Sequence, residues 1–174
     1  DLSHWCLLFP MEYIFEDFLA GFLENKFSKD WKIEYQKSDE YLSNIPRVFN
    51  MQHDIFLTAR HGSKRKVIID TKYKLRQDNF KSDPKKGVAQ SDLYQMVSYA
   101  FKRGCTDIIL VYPNISDDLN TSDNFKIISG FGEADEITIT AIEIPFSSLT
   151  DFNKLDSMLY ETLDTQLNKL LQWH

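Results

Sequence analysis

Between Pro10 and Phe27 the chain reads PMEYIFEDFLAGFLENKF, with apolar residues at 11, 14, 15, 18, 19, 22 and 23. Intervals of three and four place these side chains along one side of a helix, and Pro10 suits its start because the N–H it lacks would have no partner there. The other side is expected to carry Glu12 and Glu16 one turn apart, a mildly unfavourable pair unless a cation or donor lies near. At WKIEYQK, 31–37, the period changes to two, with Trp31, Ile33 and Tyr35 alternating with polar residues, which predicts a strand. SDEYLSNIPR, 38–47, reads as a polar connection in which Pro46 discourages regular pairing. VFNMQHDIFLTA, 48–59, then predicts a second strand, RHGSKRK a turn about Gly62, and VIIDTKYKL, 67–75, a third strand. In this reading Asp54 and Asp70 stand on the two arms of an antiparallel hairpin.

The pattern returns to helical spacing from Val88 to Arg103, with Leu93, Met96, Val97 and Ala100 on one side and Gly104 as the stop. TDIILVYP, 106–113, is an apolar run between turn signals and predicts a buried strand, while FKIISGF and EITITAIEIPF predict two more. RQDNFKSDPKKG and NISDDLNTSDN read as loops. From Thr150 apolar residues recur at 152, 155, 159, 163, 167 and 170, a long amphipathic helix expected to cover the sheet, the alternative being that it offers its apolar face to a partner. Because strands and helices mix without strict alternation, the expected class is α/β with a mixed central sheet flanked by helices. No repeat or linker divides the chain, so a single domain spanning 1–174 is expected, with its core at about 10–145 and a terminal helix at about 151–172. The start at Asp1, without Met, is read as that of a fragment of a longer protein.

Composition narrows the class without naming a chemistry. With 174 residues, 43% hydrophobic and 26% charged, the chain can bury a core of its own. Cys6 and Cys105 match neither a disulfide framework nor zinc-ligand spacing, no apolar run reaches membrane-spanning length, and no signal peptide is visible, so a cytoplasmic protein without membrane contact is expected. The net charge of −6 is uneven. Residues 60–86 hold ten Lys and Arg against three acids, a segment of +7 in a chain whose remainder is −13.

That basic segment surrounds VIIDTK. In a strand Asp70 and Lys72 point one way and Thr71 and Tyr73 the other, so an acid and an ammonium can share one site. If Asp54 faces them, two carboxylates converge, and a hard divalent cation such as Mg²⁺ is the usual oxygen-ligand solution to their repulsion. Carboxylate-bound Mg²⁺ beside a lysine suits phosphodiester hydrolysis. Lys64, Arg65, Lys74 and Arg76 would hold the phosphate backbone of DNA without reading its sequence. Alone, D-x-K is far more often the surface salt bridge of a strand end. The next helix adds Gln95 and Tyr99 at i and i+4, on one face with Ser91 or Asp92.

The set formed by "HD", "DTK" and "QMVSY" resembles the PD-(D/E)xK nuclease superfamily, with the helix motif of its RecB-like branch. PMEYIFEDFLAGFL, VIIDTKYK and SDLYQMVSYA are similar to the carboxy-terminal nuclease domain of McrC, from McrBC-type 5-methylcytosine restriction systems, over roughly residues 10–113. The resemblance implies a restriction-endonuclease-like fold in which Asp54, Asp70 and the Thr71 carbonyl bind Mg²⁺ or Mn²⁺ and Glu16 completes or supports that site. It implies Lys72 acting on the attacking water, and Gln95 and Tyr99 contacting substrate or bracing the hairpin. It further implies a GTP-dependent AAA+ partner of the McrB kind; this chain itself shows no G-x-x-x-x-G-K-S/T loop, and GFGEAD reads as a turn. His53 departs from the family pattern, which often has proline there. A RecB-like DNA-processing exonuclease and a nuclease-like module without activity are the competing readings.

Overall fold

The computed structural model describes residues 9–36, 40–52, 54–62, 64–76, 82–114, 122–128, 136–145 and 151–172. In chain order these form α1 (Met11–Phe27), β1 (Trp31–Tyr35), β2 (Glu40–Asn44), β3 (Arg47–Met51), β4 (Ile55–Ala59) and β5 (Lys66–Thr71). They continue with α2 (Gln90–Arg103), β6 (Asp107–Asn114), β7 (Asp123–Ile128), β8 (Glu136–Pro145) and α3 (Phe152–Gln172). Six strands make one sheet in the order β1-β4-β5-β6-β8-β7. The β1, β4 and β5 strands run antiparallel, β5, β6 and β8 are mutually parallel, and β7 closes the far edge antiparallel to β8. This is the expected mixed sheet, and its flanking by helices is consistent with a PD-(D/E)xK-like fold.

The central strands explain why the sheet needs cover on both faces. All eight residues of β6 are buried, as parallel strands with helices above and below require. On one face Phe15, Leu19 and Leu23 of α1 and Leu159, Leu163 and Leu167 of α3 pack with Ile69, Val111 and Ile142. On the other, Met96 and Ala100 of α2 meet Ile68, Leu110 and Tyr112. At the end of α2, Gly104 adopts the left-handed conformation with φ 58° and turns its N–H back to the Ala100 and Phe101 carbonyls, the stop its position suggests.

Two expectations change. The run 48–59 is not one strand: β3 ends at Met51, and β4 starts at Ile55. The connection expected before it contains β2, which pairs with β3 in a separate two-stranded ribbon turned at Ile45–Pro46. Pro46 occupies the turn and disturbs no ladder. Period two is hard to see there because most ribbon residues are half-buried or exposed on both sides. In α1 the face expected to be polar is partly the inner one. Glu16 is buried with Phe15, Leu19, Ala20 and Leu23, whereas Met11, Ile14 and Phe18 are exposed. Cys6, His53, the GFGEAD turn and most of the loop at 114–124 lie outside the described residues.

Candidate active site

The polar cluster sits where β5 ends. Val67, Ile68 and Ile69 are fully buried, and the parallel register of β5 on β6 aligns Asp70 with Leu110 and Thr71 with Val111. Beyond the strand the Lys72 N–H still donates to the Val111 carbonyl at 2.8 Å, so the DTK backbone is held by β6 through its third residue. Alternation then puts Asp70 and Lys72 on one side, and their charged atoms lie 2.5 Å apart. Tyr73 goes to the other side, its ring 5.8 Å from that of Phe15 in α1.

Asp54 does not lie in a strand but one residue before β4, whose Ile55 is registered with Ile69. Its Oδ2 accepts from the Thr71 backbone N–H at 2.7 Å and from Thr71 Oγ1 at 2.6 Å. The hairpin thus brings the two acids to the same end of the sheet. Glu16 reaches it from α1. Burial first, then the charge of Asp54, push its carboxyl up to about 7, against a hydrogen bond from Gln36. Glu16 Oε1 is buried and accepts no hydrogen bond. Asp70 is pushed up to about 6 by burial and by Asp54, with Lys72 opposing. Burial works against the Lys72 ammonium too, but Asp70 outweighs it and the lysine is held above its ordinary range.

Glu16 and Asp70, both held above the ordinary carboxyl range by burial and then by the charge of Asp54, lie with a single ammonium in a site short of positive charge. Oxygen donors of this kind, one of them buried and unpartnered, suit a hard divalent cation. Among the described residues no group of three His, Cys, Asp or Glu side chains is placed to hold a metal ion. Mg²⁺ is ordinarily held by one or two carboxylates, its octahedron completed by water and substrate phosphate.

The helix motif is present but adjacent. Gln95 Nε2 donates to the Tyr99 hydroxyl at 3.1 Å, and the two bond each other rather than Asp70 or Lys72. Asp92, one turn earlier, binds Lys74 at 2.6 Å and so ties α2 to the segment after Lys72.

The basic run separates into different environments. Arg65 lies before β5, five residues and roughly 17 Å of strand from Asp70. It makes a two-pronged pair with Asp107 at 2.8 and 2.9 Å. Lys64 is exposed at that same far end. Arg76 is buried, donates to the Lys86 carbonyl and pairs with Asp123 at 2.7 Å, so it fastens the following loop to β7. Of the four residues expected to meet DNA, only Lys74 stands beside the acids. Sequence reading also passed over Gln36, whose N–H donates to the Asp54 carbonyl at 2.9 Å, and Tyr35, whose hydroxyl donates to Asp17. Neither carries a local signal, since both depend on where β1 happens to end against α1.

A family model described as McrBC 5-methylcytosine restriction system component matches residues 1–113. No curated protein matches the chain. Among solved structures the fold is similar to a chain of the refined half-complex from the tetradecameric assembly of Thermococcus gammatolerans McrB AAA+ hexamers with bound McrC. The TM-score is 0.60 at 16% identity, over 89% of this chain. The match spans 33% of the length of that chain. The matched family segment takes in Glu16, Asp54, Asp70, Lys72 and the Gln95/Tyr99 helix, the whole of the polar cluster, and by it this chain belongs to the McrBC 5-methylcytosine restriction system component family.

Proposed function

We propose that this chain is a metal-dependent DNA endonuclease domain, the cleavage part of an McrBC-like, modification-dependent restriction complex. The observation that carries the reading is the gathering of Asp54 and Asp70 with Lys72 at the end of β5, with the buried Glu16 near enough to feel the charge of both acids. Asp54, Asp70 and the Thr71 carbonyl would hold Mg²⁺, for which Mn²⁺ would substitute, and the buried Oε1 of Glu16 would complete or support the site. The bound ion would acidify a water and neutralise phosphoryl charge.

The remaining work belongs to side chains. Lys72, kept charged by Asp70, would hold the attacking water and stabilise negative charge growing on the phosphoryl oxygens. Lys74 binds a neighbouring phosphate, and Gln95 with Tyr99 orients the substrate or braces the hairpin from α2. Nucleotide hydrolysis has no counterpart in this sequence, so modification reading and translocation fall to a GTP-dependent AAA+ partner of the McrB kind.

The test is cleavage of covalently closed plasmid carrying methylcytosine, with Mg²⁺ or Mn²⁺ and the motor partner present. Asp70→Asn and Lys72→Ala should each lower the rate by about 10²-fold or more. Cleavage surviving unchanged in Asp70→Asn would remove the site from the reaction.

A further inference from the structure

The end of β1 is joined to two of the acids at once. Tyr35 is registered with Ile55, the last pair of the β1–β4 ladder. One residue further, beyond both strands, the Gln36 N–H still donates to the Asp54 carbonyl at 2.9 Å. That bond fixes the backbone from which the Asp54 carboxylate reaches Thr71. The side chain of Gln36 serves α1 instead. Burial pushes the Glu16 carboxyl up, and the amide of Gln36 opposes this by donating a hydrogen bond to it. Glu16 Oε1 has no hydrogen-bond partner among the described residues, so the amide serves the other oxygen and leaves Oε1 unengaged. Tyr35 donates its hydroxyl to Asp17, the residue after Glu16. Two consecutive residues at the end of β1 thus hold two consecutive acids of α1.

The backbone at Gln36 is not one its residue type favours. Its φ is 46°, in the left-handed region that glycine enters freely and a residue with a Cβ does not. Glycine would keep the N–H on Asp54 and remove the strain, but it would give up the amide on Glu16. Such conformations persist where the surroundings impose them, commonly at functional positions. Gln36 is itself exposed, so no demand of core packing accounts for a glutamine here.

We propose that Gln36 is a positioning residue of the metal site, holding Glu16 with its side-chain amide and Asp54 with its backbone N–H so that both acids serve one divalent cation. This deepens the nuclease reading above and rests on it. The experiment is calorimetric titration of the full chain with Mn²⁺, comparing the wild type with Gln36→Gly, Glu16→Gln and the double variant. Gln36→Gly should leave the metal-free Tm level or higher, because glycine accepts that φ and retains the N–H. Its Kd for Mn²⁺ should rise about tenfold, the scale of losing a partner that orients a ligand. In the Glu16→Gln background the same substitution should change Kd by less than about twofold, because the carboxyl that the amide orients is gone. Gln36→Ala, which lacks the amide but stiffens the turn, should match Gln36→Gly in Kd and covers the case in which glycine loosens the backbone. Unchanged Mn²⁺ affinity in both Gln36 variants overturns the assignment. So does an equal loss with and without the Glu16 carboxyl, or a loss that parallels a fall in metal-free Tm. The nuclease reading fails separately, through cleavage that does not need Asp70, or through a wild-type chain that binds no Mn²⁺, which would remove this role with it.

Discussion

Glu16 and Asp70 both hold protons more tightly in the fold than a free carboxyl does, Glu16 up to about 7 and Asp70 up to about 6, chiefly through burial. The folded state therefore binds protons that the unfolded chain has already released, and stability must fall as pH rises from the ordinary carboxylate range toward 7. Without divalent metal, Tm is expected to decline across that window. Mg²⁺ or Mn²⁺ should raise Tm more at pH 8 than at pH 5, because a cation favours the ionised carboxylates. A pH series of melting curves with and without metal checks this, and equal metal shifts at both pH values would contradict it. Glu16→Gln should flatten the metal-free slope and weaken metal binding by about 10–100-fold, the scale of losing a supporting ligand. At this scale D-x-K was legible because strand alternation alone makes Asp70 and Lys72 neighbours. Arg76 was not, since its charge suggests surface and only its distant pairing with Asp123 draws it inside.

The elements differ in how plainly their sequences announce them. The α2 helix, β6 and α3 have long, strong periodicities, and the structure places them where these predict. Gly104 completes α2 through its left-handed φ, and a Cβ there would meet nothing within 4 Å. Gly104→Ala is thus a conformational change only, expected to destabilise by about 1 kcal/mol and lower Tm by roughly 2–4 °C. Leu163 is fully buried between α3 and the sheet, so Leu163→Ala should cost about 2–5 kcal/mol in a denaturant titration. A cost near zero would instead make α3 a loosely attached helix. The ribbon and the rotation of α1 were less legible. An exposed two-stranded ribbon leaves no inside–outside pattern to read. In α1 apolar residues cover so broad an arc that spacing cannot say which part of it meets the sheet, and the buried acid among them breaks the rule on which such readings depend.

Across the whole molecule, the sheet's mixed direction assembles the site. Strands β5 and β6 run parallel, and their carboxyl ends open where α2 begins, while the antiparallel hairpin of β4 and β5 delivers Asp54 to the same end. The place matches the general tendency of ligands to bind beyond the carboxyl ends of parallel strands. Charge along the sequence is a poorer guide than topology: the basic segment spans both ends of β5, so one part of it stands by the acids and another is spent on Asp107 at the opposite end. Asp54 and Asp70, with Glu16 completing or supporting the site, are proposed to hold a divalent cation for phosphodiester hydrolysis. This is tested most directly by anomalous diffraction from crystals soaked in Mn²⁺. The expected result is a single strong peak between Asp54 and Asp70, within reach of Glu16 and the Thr71 carbonyl, which disappears in Asp70→Asn. A saturating soak with no peak there, or a peak unaffected by Asp70→Asn, would contradict it.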